Sequence, residues 1–157
     1  MGMQHCAGAG VLLSHAASAQ QTFTVTRTDD PWPNGCEIND CSFREAVLAA
    51  HRVSGRDNVQ LAAATYAVAS TIEVTGELIV SGAGASQTHI VATVELDPVR
   101  QLFEAAPTYL ALRDLSIDAL GGYEIESDAN ATLVIEFVDA LNPDGSIYLS
   151  GSSGGIL

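Results

Sequence analysis

The chain has 157 residues, is 47% hydrophobic and 16% charged, and carries a formal net charge of −13. This composition is too apolar for a disordered protein, the length suits one domain, and no stretch reaches the roughly 18 unbroken apolar residues of a membrane span. All six basic residues are arginine. The negative charge repels nucleic acid and anionic membranes, so neither is expected as a partner.

Residues 1–19 have features of a secretory signal peptide. The stretch CAGAGVLLSHAASAQ is apolar and ends in Ala17-Ser18-Ala19, a small-x-small pattern that favours cleavage before Gln20. The start, MGMQHC, lacks the Lys or Arg of a typical signal, and the alternative interpretations are an apolar N-terminal tail or a misread start codon. The pattern as a whole predicts a secreted or cell-surface protein.

Two cysteines follow this segment, Cys36 and Cys41, with four residues between them. An even number of cysteines in an exported chain favours a disulfide. Free thiols and a metal site are the alternatives. A metal site is disfavoured because no second cysteine pair or nearby histidine pair completes a tetrahedral set.

The next elements are a strand, a loop and a helix. QTFTVTR predicts the strand over 21–27, and DDPWPNG, with its two prolines and Asn-Gly, predicts the loop. Ser42 and Glu45 have the spacing of a capping box at the start of a helix predicted over 43–53. Phe43 and Val47 lie on its apolar face and are expected to be buried.

From residue 57 onward, short β-branched or alternating segments separated by turn residues predict only strands. A weak repeat with an offset of 23 relates Leu110, Leu112, Leu115 and Gly122 to Leu133, Ile135, Val138 and Gly145. A period of this length is typical of solenoids, in which apolar residues stack from coil to coil. The helix over 43–53 would then cover the open end of the first coil.

Three segments, FTVTRTDD, CEINDCSFREAVLAAHR and DNVQLAAATYAV, resemble the N-terminal module named for its Cys-Ser-Leu-Arg-Glu-Ala motif. The motif stands here at 41–46 as CSFREA, with Phe43 in place of Leu. TIEVTGELIVSGAG and LRDLSID resemble the strands that follow this module in exported proteins of the pectin-lyase-like group. The resemblance covers roughly 22–157. It implies an all-β, right-handed parallel β-helix with an N-terminal capping helix.

The expected organisation has three parts. Residues 1–19 form the signal peptide, 20–56 an N-terminal cap with a strand, a cysteine-clipped loop and a helix, and 57–157 the coils of the β-helix. The last residues, YLSGSSGGIL, look like the opening of another coil. We therefore expect an incomplete solenoid whose further coils belong to a longer parent chain.

Catalytic residues are not assigned. A polysaccharide lyase of the pectin-lyase-like fold needs acidic residues to hold Ca²⁺ and a basic residue to take a proton. The residues that could supply them are Asp97, Arg100, Arg113, Asp114 and Asp118. We interpret these as solvent-facing charges and expect no cofactor, with Ca²⁺ as the alternative.

The predicted function is a non-catalytic one. We expect the N-terminal part of a secreted or surface protein with a structural, adhesive or carbohydrate-binding role, whose partner is a polysaccharide or a cell-surface component. The alternative is the N-terminal fragment of a polysaccharide lyase or glycoside hydrolase.

Overall fold

The structure is a computed structural model that describes residues 19–94, 101–106, 108–120, 123–127, 130–140 and 147–149. Of the predicted signal peptide, only Ala19 belongs to these ranges. The candidate residues Asp97 and Arg100 lie outside them.

The described chain contains one helix and a series of short strands. The helix, α1, spans Phe43–Ala50. The strands are β1 Thr22–Thr24, β2 Asp57–Gln60, β3 Thr65–Val68, β4 Ile72–Val74, β5 Leu78–Ser81, β6 His89–Ala92, β7 Gln101–Ala105, β8 Tyr109–Asp118, β9 Tyr123–Ser127, β10 Thr132–Ala140 and β11 Ile147–Leu149.

Helix α1 begins at the capping box that the sequence indicates. The Ser42 hydroxyl accepts a hydrogen bond from the Glu45 N–H, and the Glu45 carboxylate accepts one from the Ser42 N–H at 2.8 Å. The helix ends three residues earlier than predicted. Just after the helix, the Arg52 and Val53 N–H groups donate to the carbonyl oxygens three residues earlier, those of Ala49 and Ala50. Such tightened turns close a helix instead of extending it.

Every strand pairing in the described chain is parallel, and the strands form two sheets. The seven-stranded sheet has the order β1-β2-β5-β8-β6-β3, and β10 also pairs with β8. The four-stranded sheet has the order β11-β9-β7-β4. Parallel sheets are normally covered on both faces or closed against another layer, and here apolar side chains fill the space inside.

The predicted right-handed parallel β-helix is wrong. The strands lie in two parallel sheets, one of them curled like half a barrel, with one small helix, and they do not form a clear solenoid. In a regular solenoid, successive strands of a coil go to different sheets. Here the consecutive strands β5 and β6 both pair with the single long strand β8, through its first and second halves.

A bend in each of two long strands explains why the offset of 23 wrongly predicted a solenoid. Asp114, in the middle of β8, has a φ of +53°, and Phe137, in the middle of β10, has a φ of +55°. Each long strand bends there and continues, whereas the glycine-rich segment 81–86 separates β5 from β6. The offset of 23 is present as register, since Leu110, Leu112 and Leu115 pair with Leu133, Ile135 and Val138. It relates two bent strands, and not two uniform coils.

The core lies between the inner faces of the sheets and under α1. Phe43, Ala46, Val47 and Ala50 are buried on one side of the helix, which packs against β1 and β2. The Phe43 ring meets the Phe103 ring of β7 edge to face, with centroids 6.0 Å apart. The helix therefore connects the two sheets through the core.

Candidate binding site beside helix α1

The loop 30–34 is fixed at both ends to adjacent residues of α1. At one end, the Asp30 carboxylate accepts from Arg44 Nε at 2.9 Å and from Arg44 Nη2 at 2.8 Å. At the other end, the Asn34 N–H donates to Glu45 Oε1 at 2.9 Å. Because Arg44 and Glu45 are neighbours on a capped helix, the ends of the loop are held in a defined geometry.

Between these anchors the loop presents the only tryptophan of the chain. Trp32 is 91% exposed and lies between Pro31 and Pro33. Proline fixes its own φ and restricts the residue before it to extended backbone, so the segment has few alternative conformations. The indole is thus a large aromatic surface in water on a stiff, doubly anchored loop.

A cleft of about 350 Å³ opens beside this indole. We call it the Trp32 cleft. Its lining residues are Asp30, Pro31, Trp32, Pro33, Arg44, Ala69 and Ser70. A second cleft of about 290 Å³ shares Arg44 and Ser70 with it and extends along α1 to Leu48. The combination of an aromatic face with a few fixed polar groups is typical of small-ligand sites.

The charges in the Trp32 cleft are already paired. Asp30 keeps 6% and Arg44 17% of their side chains exposed, and besides Asp30 the guanidinium donates to the carbonyl oxygens of Ser70 and Thr71 at 2.7 and 2.9 Å. These contacts use one N–H of Nε, two of Nη2 and one of Nη1, four of the five that a guanidinium carries. The fifth N–H, on Nη1, is not used by these four contacts. The cleft therefore offers hydrogen bonds without net charge.

The electrostatics of Glu45 maintain the second anchor. Burial raises the pKa of its carboxyl, but the hydrogen bonds from the Asn34 and Ser42 N–H groups outweigh burial, and the pKa lies below its ordinary value. Glu45 therefore remains ionised at neutral pH. Its carboxylate accepts from Asn34 of the loop and from Ser42 at the start of the helix, and so links the two.

The two predicted cysteines lie next to this loop. A disulfide joins Cys36 and Cys41, whose Cα atoms are 4.3 Å apart. It closes a short loop in which Glu37 and Asp40 form an antiparallel bridge. Ile38, at the tip, is 87% exposed but does not line the Trp32 cleft. Arg27 binds Asp40 and Asp29, and so attaches this loop to the chain that leaves β1.

Three of the residues that could serve a polysaccharide lyase lie in the described ranges: Arg113, Asp114 and Asp118. The structure does not bring them together as a site. The Arg113 Nε lies 2.8 Å from Glu136 Oε2, in an ion pair between the neighbouring strands β8 and β10. Asp114 is exposed at the bend of β8. Asp118 Oδ1 accepts from the Leu120 N–H at 2.9 Å. Among the described residues, no hydrogen bond or ion pair connects Arg113 with either aspartate.

Sequence reasoning did not single out Trp32 or the contact between His89 and Ser116. The signal for Trp32 was available, as a lone tryptophan between two prolines in a turn-rich segment. The His89 Nδ1 lies 2.5 Å from the Ser116 Oγ, a pairing that depends on the register of β6 with β8. The Ser116 side chain is fully buried, so it is not an accessible nucleophile.

Comparison with known proteins adds no relative. No protein-family model, no curated protein and no solved structure matches the chain.

In the ranges that the structure describes, no helix has the length and apolar character needed to cross a bilayer. In the same ranges, no three His, Cys, Asp or Glu side chains are grouped as ligands of a metal ion would be.

Proposed function

We propose that this chain is a non-catalytic binding module of an exported or cell-surface protein, and that it binds neutral carbohydrate in the Trp32 cleft. The observation that carries the proposal is the doubly anchored Pro-Trp-Pro segment, whose indole is 91% exposed beside a cleft of paired polar groups. Single exposed apolar residues are common on proteins. A rigidly held tryptophan next to fixed hydrogen-bonding groups is a more specific arrangement.

The chemistry of the cleft matches a sugar ring. One face of a pyranose carries C–H groups that stack on an aromatic plane, while its edge carries hydroxyl groups. The indole of Trp32 would provide the plane, and the Arg44 N–H, the Asp30 carboxylate and the Ser70 hydroxyl would bind the edge. Because the loop is already ordered, little conformational entropy is lost on binding.

Charge favours neutral over acidic saccharides. The Arg44 guanidinium is neutralised by Asp30, and the chain carries a net charge of −13. A uronate polymer would approach a surface of its own sign and meet no unpaired cation in the cleft. Export is supported by the small-x-small pattern before Gln20 and by the resemblance of the segment 41–46 to a module of exported proteins.

The test is co-sedimentation of the purified chain with neutral and acidic polysaccharides, together with an assay for new reducing ends. We expect binding to a neutral polysaccharide, no cleavage, and a loss of at least about tenfold in affinity for Trp32→Ala, as for an aromatic hot spot. Ile38→Ala is the matched control, because Ile38 is 87% exposed, close to the 91% of Trp32, but lies outside the cleft.

Two results would count against this function. Equal binding by wild type and Trp32→Ala would show that the cleft is not the site. New reducing ends, or the absorbance of unsaturated uronates, would favour the polysaccharide-cleaving alternative.

A further inference from the structure

The buried carboxylate of Asp57 has one oxygen without a partner. Asp57 begins β2 and is 1% exposed, with its side chain on the same face as the core residue Val59. Its Oδ1 accepts from the Gln21 N–H at 2.8 Å. Its Oδ2 is buried and has no hydrogen-bond partner in the described part of the chain. An unpaired buried carboxylate oxygen is costly, which indicates that a donor belongs there.

The nearest side-chain cation in sequence does not fill this position. The Arg56 Nε lies 3.2 Å from Glu77 Oε2, and the guanidinium stacks over the Tyr109 ring at 3.6 Å from its centroid. Arg56 is therefore engaged elsewhere, and because it is adjacent to Asp57 on an extended chain, the two side chains are expected on opposite faces of the sheet.

The main chain supplies a better candidate. The Gln20 nitrogen is one residue before the Gln21 N–H that already binds Asp57, a spacing of at most about 3.6 Å along the chain. In an uninterrupted chain this nitrogen is a neutral amide. If the chain is cut after Ala19, it becomes an ammonium with three N–H donors and a positive charge.

We propose that Asp57 is the docking site of a new N-terminus, formed at Gln20 when the segment up to Ala19 is removed. The Gln20 ammonium pairs with Asp57 Oδ2 and completes the coordination of the buried carboxylate. Removal of the leader thus strengthens the attachment of β1 to β2. This inference rests on the proposed export of the chain.

Docking also protects the N-terminal glutamine from cyclisation. In that reaction the α-amino nitrogen attacks the side-chain amide carbon of the same residue. A C–N bond forms, the amide nitrogen leaves as ammonia, and an uncharged lactam results. Only the unprotonated amine attacks. A carboxylate partner raises the pKa of the amine and holds the proton on it, so Asp57 slows the reaction.

The experiment uses the full chain with a protease site built immediately before Gln20, folded first and then cut in vitro. The melting temperature is measured before and after cutting. The pKa of the new amine is measured by NMR, and the loss of ammonia is followed by intact mass. The three readouts are compared between wild type and Asp57→Asn. Asp114→Asn, at an exposed carboxylate in β8, is the control.

We expect cutting to raise the melting temperature of wild type and of Asp114→Asn, but not of Asp57→Asn. The amine pKa should be higher in wild type, and cyclisation about tenfold slower than in Asp57→Asn. If Asp57→Asn does not fold, acetylation of the cut wild-type amine replaces it, and should remove the stabilisation.

Equal amine pKa values and equal cyclisation rates in wild type and Asp57→Asn would overturn the proposal. So would a stabilisation that survives acetylation of the amine. Because the cut is made in vitro, these results do not depend on export. Export is checked separately by sequencing the N-terminus of secreted protein, and saccharide binding by the Trp32→Ala variant.

Discussion

The N-terminal region and the strand region of this molecule are stabilised by different kinds of contact. Residues 19–56, the N-terminal region, are joined by side chains: a disulfide, a capping box and the ion pairs of Arg27 and Arg44. The described residues between 57 and 149, the strand region, are joined mainly by parallel backbone ladders and stacked apolar residues. Within the described residues, the ion pair Arg113–Glu136 is the one that lies entirely between strands of this region.

The difference indicates where a specific site is expected. Backbone ladders tolerate many sequences, since each strand contributes the same groups. Polar side-chain links depend on particular residues, and in the N-terminal region they fix the geometry of one loop. That loop carries the exposed Trp32, so the side-chain links that stabilise the region also orient its candidate binding surface.

The largest effect is expected where the two regions meet. Phe43→Ala removes the ring that packs on Phe103 and should lower the free energy of unfolding by about 3 to 5 kcal/mol. It should also promote aggregation by uncovering the sheets beneath α1. Chemical denaturation and light scattering measure both. Leu48→Ala, on the outer face of the same helix, is the control and should cost less than about 1 kcal/mol. An unchanged denaturation midpoint for Phe43→Ala would show that α1 does not cover the core.

The next largest loss of stability is expected when the mostly buried ion pair of Arg44 with Asp30 is broken. Arg44→Ala leaves the Asp30 carboxylate, 6% exposed, without its bidentate partner, and should cost about 3 kcal/mol. Arg56→Ala breaks an exposed pair with Glu77 and should cost less than about 1 kcal/mol. Denaturation of both variants at the same ionic strength tests the contrast. Equal losses would mean that burial does not distinguish the two pairs.

Removal of the disulfide should have a smaller effect. The Cys36–Cys41 bond closes a loop of only a few residues, and the double variant Cys36→Ser/Cys41→Ser should lose about 2 kcal/mol. Intact mass before and after alkylation without reductant tests whether the bond forms in the purified protein. Two alkylated thiols in such material would contradict this assignment.

The smallest effect is a dependence on pH from His51. Burial lowers the pKa of this imidazole below its ordinary value of 6.5, so the unfolded chain binds a proton at a higher pH than the folded one. The stability that depends on neutral His51 is complete above pH 6.5 and declines as the pH falls from there through the folded value. His51→Gln should remove this part of the decline. A decline of the same size in the variant would assign it to other groups.

Sequence could predict the local elements of the N-terminal region because their signals are local. The capping box of Ser42 and Glu45, the buried face with Phe43 and Val47, and the proximity of the cysteines each depend on a few neighbouring residues. The end of α1 was placed too late, because the choice between continuing a helix and tightening its last turn depends on packing.

The architecture of the strand region could not be predicted in the same way. The offset of 23 indicated which residues align, and Leu110 does pair with Leu133. It did not indicate that Asp114 and Phe137 would bend single strands, a conformation uncommon for residues other than glycine. The contacts of His89 with Ser116 and of Asp57 with Gln21 join residues distant in sequence, so they follow only from the strand register.

The most direct test of carbohydrate binding in the Trp32 cleft measures the fluorescence of Trp32 itself. It is the only tryptophan in the chain, so all indole fluorescence comes from the proposed binding surface. Titration with soluble neutral oligosaccharides should shift the emission to the blue in a saturable way, because a stacked sugar excludes water from the indole. The same shift should occur in Ile38→Ala, and Arg44→Lys, which lacks the planar fork that holds Asp30, should weaken it. Unchanged emission up to the highest soluble concentration of each neutral oligosaccharide tested would contradict carbohydrate binding in the Trp32 cleft.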